Sequence, residues 1–181
     1  MKRRFGAWLA TAVSALLLAG CASTPAVPGL QVSNTAWTTG RMSVRVDASV
    51  ARAAQNVSAA FELRGDGDVG ELRLVSPLGT SLAHARWAPG QVRLETLDGE
   101  RSFDNLDELS HQTLGEALPL AALPDWLAGK PWQGAAHTAM ADGFEQLGWQ
   151  VQLARRTEGI LEARRAAPPA VQLRVKLDAP A

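Results

Sequence analysis

Gly65-Asp66-Gly67-Asp68-Val69-Gly70 has the glycine spacing of a dinucleotide-binding loop and carries two carboxylates. Such a loop cradles a pyrophosphate only where a strand leads in and a helix opens directly after it. Both flanks here alternate like strands, so the stretch reads as a hairpin turn. Asp66 and Asp68 lack the further oxygen ligands of a calcium loop. His84, His111 and His137 are scattered, and no His-Glu-x-x-His pair is present to seat zinc. Ser81 and Ser110 stand outside any Gly-x-Ser-x-Gly elbow. Asp107 and Glu108 adjoin within a helical stretch and so point in different directions. Cys21 is the only cysteine, so no internal disulfide can form. These groups ask for no reaction. No catalytic residue, metal site or cofactor is expected, and the chain reads as a non-enzyme.

The chemistry that does stand out is covalent and lies near the start. Lys2, Arg3 and Arg4 precede an apolar run from Phe5 to Ala19. This is the pattern of a secretory signal, and at about fifteen residues the run is short for a membrane-spanning helix. Leu18-Ala19-Gly20-Cys21 resembles the lipobox of bacterial lipoproteins, whose leader is cut before a cysteine that becomes acylated. Residues 1–20 are therefore expected to be a cleaved signal peptide and Cys21 the lipid attachment site. Residues 21–35, with Pro25, Pro28 and Gly29, read as a tether, and residues 36–181 as a single domain. Ala22, where an aspartate would favour the inner membrane, points to the outer one. Without the leader, fifteen basic and eighteen acidic residues remain, a balance of −3. That excludes an electrostatic footprint for nucleic acid. It also supplies no basic patch for anionic lipid heads, so membrane contact must be apolar.

The domain alternates with period two, as half-buried strands do. Met42, Val44 and Val46 share a face, as do Val57, Ala59, Phe61 and Leu63, then Leu72 and Leu74. After a break at Pro77-Leu78-Gly79, residues 80–87 continue extended with an alternation that gives no orientation. Val92, Leu94 and Thr96 share the next face, and Asp98-Gly99 signals a hairpin. The period then changes. Asp104 or Asn105 can cap a helix carrying Leu106 and Leu109, and Gly115 can end it. A second helix is expected over about residues 121–128, with Pro124 in its first turn and Leu123, Trp126 and Leu127 on its apolar side. Strands return with Trp149, Val151 and Leu153, a short one at 159–161, a loop over 164–170, and finally Val171, Leu173, Val175 and Leu177. The sum is nine or more antiparallel strands with a helical insertion. Their inner faces need cover, which a strongly curved sheet capped by the helices provides. Whether that interior is hollow or packed stays open on these residues alone. So does Leu78, an apolar tip that either meets a membrane or folds back.

The order of elements resembles one family, the outer-membrane lipoprotein receptors called LolB. The matching residues are the lipobox at Cys21, Trp37-Thr38-Thr39-Gly40-Arg41, the strand with Phe61, and Leu74-Val75-Ser76-Pro77-Leu78-Gly79. They continue with Ala88-Pro89-Gly90, Asp98-Gly99, Gly115 through Leu120, Trp126 to Gly129, Gln146 to Trp149 and Leu173 to Leu177. The segment Glu162–Ala170 is shorter and richer in alanine than the family's late hairpin. The resemblance implies a mainly β fold, an unclosed antiparallel β-barrel capped by short helices, as in the carrier LolA. It implies a receptor, anchored through Cys21 on the periplasmic face, that accepts lipoproteins from a LolA-like carrier and inserts their acyl chains into outer-membrane phospholipid. A monomer is expected. The resemblance assigns Pro77, Leu78 and Gly79 to a membrane-insertion loop. The expected acyl-chain lining is Val44, Phe61, Leu72, Leu74, Val92, Leu94, Leu173 and Val175, under a lid of Leu106, Leu109, Leu123 and Trp126. The alternatives are a lipocalin-type carrier that keeps a hydrophobic ligand, and a structural scaffold lipoprotein with a solid core.

Overall fold

A computed structural model describes residues 36–50 and 52–179. The expected signal peptide, the acylated Cys21 and the tether lie outside these residues. The described chain forms one antiparallel sheet of eleven strands. Its first six are β1 (Thr38–Val46), β2 (Gln55–Gly65), β3 (Gly70–Val75), β4 (Ser81–Ala88), β5 (Gln91–Thr96) and β6 (Gly99–Phe103). Two helices follow, α1 (Leu106–Leu114) and α2 (Leu123–Leu127). The last five strands are β7 (His137–Met140), β8 (Gly143–Gln146), β9 (Trp149–Gln152), β10 (Ile160–Arg165) and β11 (Val171–Leu177). The strand order is β6-β5-β4-β3-β2-β1-β11-β10-β9-β8-β7, so the first and last strands pair at the middle and the sheet does not close. The helices connect β6 to β7, the two free edges. The insertion thereby spans the gap that closure would otherwise fill.

The expectation of an unclosed β-barrel capped by short helices is met, with local differences. β7 has no counterpart in the sequence reading, because its four residues are all exposed on an edge strand and show no alternation. The second helix is five residues long rather than eight. The closing strands form in full despite the short Glu162–Ala170 segment. β10 runs on to Arg165, and β11 pairs with it from Ile160↔Lys176 to Arg165↔Val171. Asn105, not Asp104, caps α1. Its side chain accepts from the Glu108 amide at 2.8 Å, while the Glu108 carboxylate accepts from the Asp104 amide at 2.8 Å. The 65–70 stretch is indeed a turn, with the Asp66 carboxylate accepting from the amides of Asp68 and Val69 at 2.8 and 2.9 Å.

On the outer face, Glu71 is buried among basic groups. It accepts from Arg64 and meets His84 Nε2 at 2.8 Å, and Arg73 lies 3.7 Å away. The guanidiniums of Arg64 and Arg73 each lie 4.5 Å from the Trp37 ring, which fixes the chain where it enters β1. Burial alone pushes the Glu71 carboxyl up, but the hydrogen bonds from His84 and Arg64 and the charges of Arg64 and Arg73 outweigh it. The net pKa lies below the ordinary 4.5. A lowered carboxylate pKa stabilises the fold above the unfolded value, and that contribution is lost as pH falls through the folded one. Glu71→Gln is therefore less stable than the wild type at neutral pH, and the gap closes as pH drops below about 4.5. Melting temperatures of both proteins against pH test this, and a gap that stays constant would contradict it.

Candidate functional site

The two halves of the rolled sheet are filled differently. In the β7–β10 half the interior is solid. Trp126 is fully buried between Phe144 and Trp149, with ring centroids 6.2 Å away in each case. Its indole N–H donates to Gln146 Oε1 at 2.8 Å. In the β1–β5 half the inward positions include Ala59, Ala83 and Ala85, and under α1 they leave an apolar hollow of about 220 Å³. Its only polar lining residues are Thr96, Ser110 and Thr113.

Size along β4 shapes this hollow. Ala83, Ala85 and Trp87 point inward in turn, small, small and large. Trp87, which does not itself line the hollow, is buried beyond one end of it, and its indole N–H donates to the Asp66 carbonyl at 2.9 Å. At that end the chain enters β1, so it is named the near edge. At the far edge the lining is open: Val57 is exposed and Leu74, Ala83 and Thr96 are half-buried, whereas Leu72, Ala85 and Leu94 deeper in are buried. The hollow opens toward the turns of the far edge.

Of the expected lining, Val44, Leu72, Leu74 and Leu94 border this hollow. Phe61, Val92, Leu173 and Val175 do not. They are buried in the packed core around it. Of the expected lid, Leu109 borders the hollow, and Leu106 is buried under α1 without reaching it. Leu123 and Trp126 pack away from it, since Trp126 is committed to the aromatic cluster and to Gln146. The cover is instead α1 with the segment that follows, through Leu109, Thr113, Leu114, Leu118 and Leu120. Ser110 joins the two parts, accepting from the Leu118 amide at 2.9 Å. Glu116 pairs with Arg165 at 2.5 Å, tying the cover to β10. Arg52 lies so close over Gly115 that a Cβ there would overlap its guanidinium, which sets a cation at the C-terminal end of α1.

The Pro77-Leu78-Gly79 loop stands on the same far edge as the mouth. Ser76 builds it. Its hydroxyl accepts from the amides of Leu78 and Thr80, its carbonyl from Gly79 at 2.9 Å, and its amide donates to the Thr80 carbonyl at 2.8 Å. Gly79 supplies the positive φ of 82°. Leu78 is left 94 % exposed at the tip. A second, larger hollow of about 760 Å³ lies at the near edge. Arg156, Glu158, Lys176 and Asp178 line it, and a fatty chain gains little among them. Among the described residues no cluster of metal-ligating side chains occurs, and no helix is long and apolar enough to cross a membrane.

A rolled sheet left open, a helical cover and an apolar hollow can be matched against known families. The family model described as "Outer membrane lipoprotein LolB" matches residues 36–179. The chain belongs to the LolB family. An outer-membrane lipoprotein LolB of Bordetella petrii is 34 % identical over 176 residues, covering 91 % of this chain and 87 % of the relative. The LolB of Chromobacterium violaceum is 34 % identical over 148 residues, 78 % of each chain. That of Cupriavidus metallidurans is 33 % identical over 149 residues, 76 % of this chain and 71 % of the relative. This LolB-family chain is thus an outer-membrane lipoprotein of the lipoprotein-transport class.

Proposed function

We propose that this protein accepts lipoproteins from a LolA-like periplasmic carrier, shelters their acyl chains in the hollow under α1, and releases them into the outer membrane. The observation that carries the reading is the shared far edge: the hollow opens where Leu78 protrudes. Leu78 is the lipid-insertion tip in this reading, with Pro77 and Gly79 shaping its turn. Acylation of Cys21 holds the protein beside the bilayer that receives the cargo.

Energetics support it. Exposed acyl chains cost roughly 25 cal/mol per Å² of apolar surface, so a carrier, a receptor and a bilayer that hide them progressively better give downhill transfer without chemical fuel. The hollow of about 220 Å³ is lined almost wholly by apolar side chains that stay in part exposed at its mouth. Apolar surface left facing water there is unfavourable at roughly 25 cal/mol per Å², which favours an apolar occupant. The size of the hollow also sets a requirement. A void of about 150 Å³ holds one benzene, so about 220 Å³ takes roughly nine carbons, less than one full fatty chain. The cover must lift for cargo to enter, and the Glu116–Arg165 pair and the Ser110–Leu118 bond are what lifting strains or breaks.

The test is two-step transfer of a fluorescent lipoprotein, from the carrier to the lipidated protein and from there to liposomes. Leu78→Glu is expected to leave folding and acceptance intact and to slow delivery about tenfold or more, since a charge at the tip replaces a leucine worth about 1.5–3 kcal/mol in apolar surroundings. Normal delivery by a folded Leu78→Glu protein would remove Leu78 from the mechanism. Retention of cargo by the wild type would favour a carrier that keeps its ligand.

A further inference from the structure

The Asp98-Gly99 signal marks a hairpin, yet Leu97 and Asp98 form its tip. Thr96 pairs with Gly99, and the Thr96 hydroxyl accepts from the Asp98 amide at 3.3 Å. Leu97 is thereby left 80 % exposed. Strand directions place this turn on the far edge, beside the Leu78 loop. The β1–β2 connection reaches the same edge, and there Val50 is fully exposed. Three neighbouring connections on one edge thus each hold out one large apolar residue: Val50, Leu78 and Leu97. Adjacent tips are two strands apart, about 10 Å at about 4.8 Å per strand. Because the sheet is rolled, they lie on an arc beside the mouth of the hollow, and an arc defines a plane where a single tip would not. The near edge differs. Its tips hold Asp66, Gly67 and Asp68, then Pro89 and Gly90, then Ala141 and Asp142 beside a half-exposed Met140, then the charged connection of Arg155, Arg156 and Glu158. Isolated exposed leucines are ordinary on a soluble surface, but the three most exposed large apolar residues among the described ones, Val50, Leu78 and Leu97, all stand on this far edge beside the mouth of the hollow, whereas Met140 at the near edge is 42 % exposed.

We propose that Val50, Leu78 and Leu97 together form a bilayer-docking rim that sets the mouth of the hollow flat against the lipid. The inference rests on the reading that Leu78 meets the bilayer and adds the two flanking contacts and a fixed orientation. The occupant is a lipid surface rather than a protein groove. The contacts are separate single side chains on projecting turns, suited to a deformable interface. The Leu78 loop carries no charge at all, and Leu97 only the neighbouring Asp98. The orientation is also reachable. From Cys21 to Thr38 the chain covers at most about 58 Å at about 3.4 Å per residue, whereas β1 spans about 30 Å. A chain anchored at Cys21 can therefore turn its far edge toward the membrane that holds it.

The test places an environment-sensitive fluorophore on the full-length lipidated protein in phosphatidylethanolamine–phosphatidylglycerol vesicles that contain a quencher-labelled lipid. The labelled variants are Val50→Cys, Leu78→Cys and Leu97→Cys, with Pro89→Cys and Asp142→Cys from the near edge. The expected result is quenching and a blue shift at the three rim sites and neither at the near edge. In transfer assays, Leu97→Glu and Val50→Glu should each slow delivery severalfold with acceptance unchanged. Quenching at Leu78 alone overturns the rim and leaves the proposed function standing. Aqueous signals at all three rim sites overturn both. Equal quenching at the two edges overturns the fixed orientation. Rim probes that stay aqueous on vesicles but are protected by the carrier assign the rim to a protein partner and also overturn the proposal.

Discussion

Ala85→Leu is expected to make the protein more stable by about 1–2 kcal/mol and to reduce acceptance of lipoprotein by more than tenfold. Ala85 is buried on β4, facing the hollow between its register partners Leu72 and Leu94. Three added carbons fill void rather than displace atoms, and each buried CH₂ contributes about 0.8 kcal/mol, less the cost of local adjustment. The same atoms occupy space that an acyl chain would need. Ala163→Leu is the internal control. Ala163 is fully buried between Val151 and Leu173 in the register of the sheet, away from the hollow. There the same three carbons overpack, and the expected loss is about 1–3 kcal/mol. Urea unfolding of both variants separates the two environments, and transfer from a fluorescent donor reads acceptance. If both variants lose stability alike, the hollow is not free space. If Ala85→Leu gains stability and still accepts cargo, the hollow is not where the acyl chains go.

This contrast also shows what the sequence could and could not reveal. Period-two alternation exposes which residues face inward, and it placed Val44, Phe61, Leu72, Leu94, Leu173 and Val175 in the interior. It does not say whether the interior is full. That depends on the sizes opposed across the roll, a relation between strands far apart in the chain. A local signal was nevertheless present. Ala83-x-Ala85-x-Trp87 is a taper, and alanines at inward positions leave room that leucines would not. The lid was legible as two helices but not as one piece over the hollow and one packed into the aromatic cluster. Trp126 shares its apolar spacing with Leu109, and only the partner of its N–H, twenty residues on, shows that it is anchored. β7 escaped because an exposed four-residue edge strand has no buried face to pattern. Leu97 escaped because Asp98-Gly99 directs attention to itself, while the tip of the turn falls one residue earlier.

Gln146→Leu should cost about 3–5 kcal/mol, the largest loss expected from a single side chain of nearly unchanged volume. Gln146 is 1 % exposed, and both ends of its amide are saturated. Oε1 accepts from Trp126 Nε1 at 2.8 Å and from the Trp132 amide at 3.0 Å, while Nε2 donates to the carbonyls of Trp132 and Ala135 at 2.7 and 2.8 Å. A leucine leaves two donors and two acceptors without that partner, in places where water enters only by loosening the packing. Each unsatisfied buried group costs about 1–3 kcal/mol, and relaxation of the 129–136 segment recovers part of the sum. Trp126→Phe provides the second reading of the same network. It keeps a ring against Phe144 and Trp149 but removes one donor, so about 1–2 kcal/mol is expected. Because the two changes share a bond, the double variant should lose less than the sum of the singles. In the proposed mechanism the cover lifts while the other half stays packed, and this amide joins α2, the segment after it and β8 within that packed half. Gln146→Leu should therefore lower acceptance even at temperatures where the protein remains folded. A loss of stability below about 1 kcal/mol, or additive effects in the cycle, would show that the amide is not the joint that holds the solid half together.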